Sequence, residues 1–226
     1  MAPIRSYAQG GSAGRRWIAP GLLVVLSACG TTPLPPPPDV PPLFRRIEAR
    51  VGAVYADAAR AAVLQDPLVR IEVGQASVAR FRQAFAAMFA QVVELPESPS
   101  WRAAGTALDG VIELQRVDAR MVPGNDASGL LARLVQAQDM ARPDVVDISY
   151  TVCLYAPDGA VVRCWSASAT DSHQRGPFDC LDMGPCIARQ TEAVMRGAIA
   201  RFMVDAENDP ALASWAARIA RRAPAP

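Results

Sequence analysis

The chain has 226 residues, with 23 basic side chains, all arginine, against 22 acidic ones and a formal charge of +1. That near balance gives no footing for nucleic-acid binding, which needs a basic patch or stripe. A hydrophobic content of 51% is too high for a disordered chain, and the length suits one good core.

The chain opens with a leader. Arg15 and Arg16 precede a short apolar run from Trp17 to Leu26, which ends in small residues. A charged start, an apolar centre and a small-residue end are the parts of a secretory signal. The run is only about half the ~20 residues that a spanning helix needs. Its last four residues, Leu26-Ser27-Ala28-Cys29, resemble the lipobox of bacterial lipoproteins. In that family a signal peptidase cuts before the cysteine, whose thiol carries diacylglycerol and whose new amine is acylated, with palmitate among the acyl chains. The resemblance implies a signal peptide over residues 1–28 and lipidation at Cys29. In the same family an aspartate after the cysteine favours the inner membrane of enteric bacteria. Gly30 stands there instead, so the resemblance implies the outer membrane and a domain facing the periplasm. Removing the leader takes three arginines with it and leaves 198 residues with a charge of −2.

Residues 29–44 hold the lipidated cysteine and a proline-rich spacer. Thr31 to Pro42 reads TTPLPPPPDVPP, which favours stiff polyproline II rising ~3.1 Å per residue. A dozen such residues lift a domain about 35 Å from the lipid.

Residues 45–208 read as one α+β domain, and 209–226 as a short C-terminal helix with a basic tail. Val51 to Tyr55 is a strand, Asp57 to Leu64 an alanine-rich helical stretch, and Leu68 to Val73 an alternating strand. A helix follows over 75–89, where Val78, Phe81, Phe85, Met88 and Phe89 share one face. Gln91 to Leu95 is a strand. Leu108 to Val122 is one long strand or two, with Gly110 as its bulge. Asp147 to Tyr155 and Ala160 to Ser168 form a hairpin around Pro157-Asp158-Gly159.

The hairpin register follows from burial. Pairing residues whose numbers sum to 317 puts Ile148, Tyr150, Val152 and Leu154 on one face with Val161, Trp165, Ala167 and Ala169. A slip of one residue would bring Val162, Cys164, Ser166 and Ser168 there instead, because side chains alternate along a strand. A last helix starts near Pro185 and runs to Asp205, burying Ile187, Val194, Met195, Ala198 and Phe202. The expected architecture is a two-layer sandwich: a mainly antiparallel or mixed sheet of four to six strands, with two main helices packed on it.

Four cysteines remain beyond Cys29, and an oxidising compartment lets them pair. The register sets Cys153 opposite Cys164. Cys180 and Cys186 bracket a turn-rich loop, so the expected disulfides are Cys153–Cys164 and Cys180–Cys186. Their spacings lack the paired knuckles of a zinc site and the two-residue gap of a redox pair.

No chemistry announces itself. The single histidine, His173, sits in Asp171-Ser172-His173-Gln174-Arg175, which reads as a solvated loop. No Gly-x-Ser-x-Gly elbow or phosphate loop occurs. Glu94 with Glu97, and Asp179 with Asp182, read as solvated charges. No enzyme, cofactor or metal is expected.

Two apolar stripes remain. One carries Leu130, Leu131 and Leu134 within a long connection; the other carries Leu212, Trp215 and Ile219, with Arg218, Arg221 and Arg222 on its polar side. Each either packs on the domain's own core or, if exposed, marks an interaction surface.

An anchor, a spacer and a β-α-β-β-β-β-α order together resemble small envelope-assembly lipoproteins. Among these are the lipopolysaccharide-assembly type and lipoproteins sharing the fold of the TolB N-terminal domain. The segments carrying the second resemblance are Val73-Gly74-Gln75-Ala76-Ser77, Phe85 to Val92 and Asp109-Gly110-Val111-Ile112. The resemblance implies a non-enzymatic accessory or scaffold in envelope assembly or transport. Its partners would be the membrane through its lipid, an envelope protein or glycolipid, or further copies of itself. A lipid-anchored module that binds a small apolar ligand is the alternative.

Overall fold

A computed structural model describes residues 45–66, 69–96, 107–122, 144–173 and 183–222. Along the chain come β1 (Ile47–Tyr55), α1 (Asp57–Arg60), β2 (Leu64–Asp66), β3 (Val69–Ile71), α2 (Val73–Met88) and β4 (Phe89–Glu94). They are followed by β5 (Gly110–Val122), β6 (Asp144–Tyr155), β7 (Val161–His173), α3 (Met183–Glu207) and α4 (Pro210–Arg222). Five strands form a mixed sheet ordered β4-β1-β5-β6-β7, and β2 with β3 makes a separate small hairpin. The expected α+β class holds.

The parallel half centres on β1, which has β4 on one side and β5 on the other. A parallel strand between two neighbours is covered on both faces, and Val51 through Tyr55 are all buried. Its outer face is capped where Gly52 lies directly beneath the side chains of Leu95 and Leu108. The antiparallel half runs through β5, β6 and β7.

The β6–β7 register is the one that burial predicts. Ile148 pairs with Ala169, Tyr150 with Ala167, Val152 with Trp165 and Cys153 with Cys164. One residue departs from the expectation. The register shifts between Leu154 and Tyr155, making Val162 the extra residue. Val161 is therefore 60% exposed, while Val162 packs against the core.

Three further expectations are corrected. The helix expected over 57–64 is a single turn, because the chain turns at Ala61 and lays buried Leu64 against Ile71. The irregularity of β5 falls between Leu114 and Arg116, not at Gly110. Gly110 serves close packing instead: a Cβ there would stand 2.7 Å from the Tyr155 carbonyl oxygen and 3.0 Å from Trp215. Finally, Leu212, Trp215 and Ile219 are 3%, 3% and 8% exposed, so this stripe belongs to the core and offers no surface.

The helices press on the face of the sheet that carries Tyr55, Leu114, Tyr150 and Trp165. All five residues expected along the buried face of α3 are in the core. Phe81 is the hub, with ring centroids 5.4 Å from Phe85, 5.0 Å from Tyr150 and 5.6 Å from Phe202. Trp215 meets Phe89 edge-on at 6.2 Å, which ties α4 to the start of β4. Trp215→Ala should therefore cost about 3–5 kcal/mol in urea unfolding, a large core truncation beside a position with no Cβ to fill the space.

Candidate interaction surface

Polar groups inside the helix layer hold it in register. Arg80 of α2 forms a buried ion pair with Glu192 of α3, their side chains 4% and 8% exposed. Arg80 also donates to the Ala76 carbonyl at 3.0 Å, and Arg196 approaches Glu192 from one turn on at 3.8 Å. Burial lowers the pKa of the Arg80 guanidinium from its ordinary value. Beside it, the Ser77 and Tyr150 hydroxyls share a hydrogen bond of 3.2 Å. Burial pushes the Tyr150 hydroxyl up to about 12, although Ser77 and Arg80 pull it down. Tyr55 is likewise raised, by burial first and then by Glu94, against the opposing charges of Arg82 and Arg60.

The helix corner between α3 and α4 is held by Asp209, which is 8% exposed. Its Oδ1 accepts from the Ala211 and Leu212 amides at 2.7 and 3.4 Å, capping α4. Its Oδ2 accepts from Trp165 Nε1 at 3.2 Å and pairs with Arg163 at 2.9 Å. One carboxylate thus joins a helix start to the strand beneath it. Asp209-Pro210 is a legible start signal, a cap followed by a first-turn proline.

The opposite face of β5–β7 is wet. Ser166, Ser168 and Thr170 are exposed, and Ser149 and Thr151 are half-buried. Arg116 pairs with Asp118 at 2.8 Å, and Thr170 donates to Asp147 at 2.9 Å. The Cys153–Cys164 disulfide crosses this face, with Cys153 buried and Cys164 exposed. Cys186 is also disulfide-bonded, and its expected partner Cys180 lies outside the described residues.

The remaining sequence candidates scatter. Cys29 and the stripe of Leu130, Leu131 and Leu134 fall outside the described residues, as do Glu97, Asp179 and Asp182. His173 is the last residue of β7, paired with Asp144, rather than part of a loop. Asp171 and Ser172 are exposed strand residues. Glu94 is held by Arg82 through bonds of 2.5 and 3.0 Å, which raise the arginine's pKa. Among the described residues no cluster of three or more His, Cys, Asp or Glu side chains is placed to hold a metal. None of their helices is long and apolar enough to cross a membrane. Among the described residues the strands do present an edge: β7, thirteen residues long, has a described strand as neighbour on one side only.

Two measurements test the interior. Arg80→Met or Glu192→Leu alone should cost about 3–5 kcal/mol by stranding a buried charge, whereas the double variant should recover most of that loss. For Tyr150 the neutral form is favoured on folding, so its contribution is complete below pH 10. It is lost as pH rises from 10 to about 12, at about 1.4 kcal/mol per unit of pKa difference. Alkaline unfolding should steepen across that window, and less so in Tyr150→Phe.

No protein-family model and no curated protein matches the chain. Among solved structures it is similar to a Xanthomonas campestris protein of the DUF330 family, at 9% identity over 77% of this chain and 92% of that one, with a TM-score of 0.48. It is also similar to a minor lipoprotein from Acinetobacter baumannii, at 7% identity over 71% of this chain and 92% of that one, with a TM-score of 0.41. At TM-scores below 0.5 these likenesses assign no function to the chain.

Proposed function

We propose that this protein is a bacterial lipoprotein, anchored through Cys29 in the outer membrane and facing the periplasm, that works by contact and not by catalysis. The observation that carries the reading is Leu26-Ser27-Ala28-Cys29 at the end of a short apolar leader, followed by Gly30 and a proline-rich spacer. The Cys153–Cys164 disulfide supports it, because such bonds persist in the periplasm and are rare in a reducing cytosol.

The displaced ionisations favour contact over catalysis. Tyr150 and Arg80 are buried between sheet and helices, and Tyr55 is buried beneath two arginines whose guanidinium carbons lie 5.7 and 5.6 Å from its ring centre. Each of these shifts belongs to packing. The aromatic rings of Phe81, Phe85, Tyr150, Trp165 and Phe202 occupy the space between sheet and helices. That filling favours a role through the surface over enclosure of an apolar ligand. The role proposed is that of an accessory or scaffold in envelope assembly or transport, recognising another protein or a glycolipid.

Metabolic labelling with palmitate, followed by separation of inner and outer membranes, tests the anchor. The native chain should carry label and fractionate with the outer membrane, and Cys29→Ser should lose both properties. A Cys29→Ser protein that stays on the membrane would overturn the reading.

A further inference from the structure

We propose that two copies of this chain join edge to edge through β7, as an antiparallel pair about a two-fold axis at Ala167. The inference begins with the direction of the backbone groups. Cys153 and Cys164 have Cα atoms 4.1 Å apart, the close spacing of a non-hydrogen-bonded pair, so Cys164 turns its N–H and C=O away from β6. Gln190 gives the same answer independently. Its Nε2 donates to the carbonyls of both Asp144 and Asp171, at 3.3 and 3.2 Å. Both oxygens are within reach of one nitrogen only if Asp171 points toward β6. From Arg163 to His173, therefore, odd-numbered residues bond to β6 and even-numbered residues direct their amides and carbonyls to the open edge.

Such an edge is a template for another strand. Between Arg163 and His173 it has no proline, no lysine and no register shift, three of the devices that blunt an edge, and its charges are one arginine and one aspartate of opposite sign. Antiparallel self-pairing must match even with even residues to satisfy those groups. It must also match core face with core face to continue the sheet. Both conditions require residue numbers with an even sum.

Charge selects one register among those. A sum of 334 sets Arg163 of each copy opposite Asp171 of the other, twice by symmetry, with Ser166 opposite Ser168. Shifting the sum by two in either direction puts Ala169 or His173 opposite Arg163 and loses both pairs. Arg163 pairs through Nε with Asp209 at 2.9 Å but keeps 55% of its side chain exposed, and Asp171 is exposed, so the terminal guanidinium nitrogens and the Asp171 carboxylate are the groups that would meet.

The helix layer allows the approach. Gly197 of α3 lies beside β7, where an added Cβ would stand 3.4 Å from that of Ala169. Ala193, Gly197 and Ala200 are exposed at spacings of four and three, and Val204, one turn further on, is 56% exposed. With small side chains on that flank, α3 of each copy can lie beside its mate above the joined edges. Val161, in β7 itself, is another of the exposed large hydrophobic residues. The partner named here is a second copy of this chain, and the pairing does not depend on how the N-terminus is anchored.

Sedimentation equilibrium of the full chain in density-matched detergent should give twice the monomer mass at micromolar concentration. Ser168→Pro removes one outward donor from the middle of the edge and leaves the β6 ladder intact. It should give a monomer with an unchanged circular dichroism spectrum. Asp171→Arg, at an exposed position, should weaken the dimer about tenfold or more by setting arginine against arginine at both ends. A monomeric native chain would overturn the proposal, whether or not the edge binds a strand from another protein. So would a dimer that neither substitution weakens.

Discussion

The antiparallel pairing of β6 with β7 decides which side chains enter the core, and most of the remaining structure is built on that choice. With numbers summing to 317, Ile148, Tyr150 and Val152 line up with Ala169, Ala167 and Trp165 under the helices. The hydroxyls of Ser166, Ser168 and Thr170 then face water. Because the side-chain period is two, a slip of one residue would reverse both faces at once. The Cys153–Cys164 disulfide bridges two residues directly opposite each other in that register, so it locks the same choice covalently.

Above that face the helices meet through a mixture of rings and charges. Phe81 and Phe85 of α2 meet Phe202 of α3, and the Arg80–Glu192 pair joins the same two helices. A buried pair contributes little net stability, because desolvation offsets most of the attraction, but mismatching it is costly. Its effect is to make one alignment of the two helices preferable to its neighbours. Asp209 does the same for α4. Capping that helix while bound to Trp165 and Arg163, it fixes where the chain turns after α3.

Much of the sheet was legible from residue pattern, for a physical reason. Strand alternation, the turn at Pro157-Asp158-Gly159 and the apolar face of α3 are local periodicities that burial enforces directly. The misreadings occurred where local preference met tertiary competition. Alanines after Asp57 favour a helix, yet the chain leaves it after one turn so that Leu64 can be buried. Gly110 carries the usual mark of a bulge, yet its missing Cβ makes room for Trp215, which is distant in sequence. Val161 lost its place to Val162 through one shift at the hairpin's closed end. The stripe of Leu212, Trp215 and Ile219 has the same periodicity whether it faces a core or a partner, so pattern alone left its burial open.

By itself, the sequence determined the α+β class, the face and register of the β6–β7 hairpin and the position of the first disulfide. These are set by neighbours along the chain, or by a two-residue period that only one pairing can satisfy. Only the tertiary structure decided that α4 belongs to the core, that Arg80 meets Glu192 across 112 positions, and that β7 comes last among the described strands of the sheet. Those outcomes depend on which elements lie side by side in space, and periodicity within one element carries no information about its neighbours.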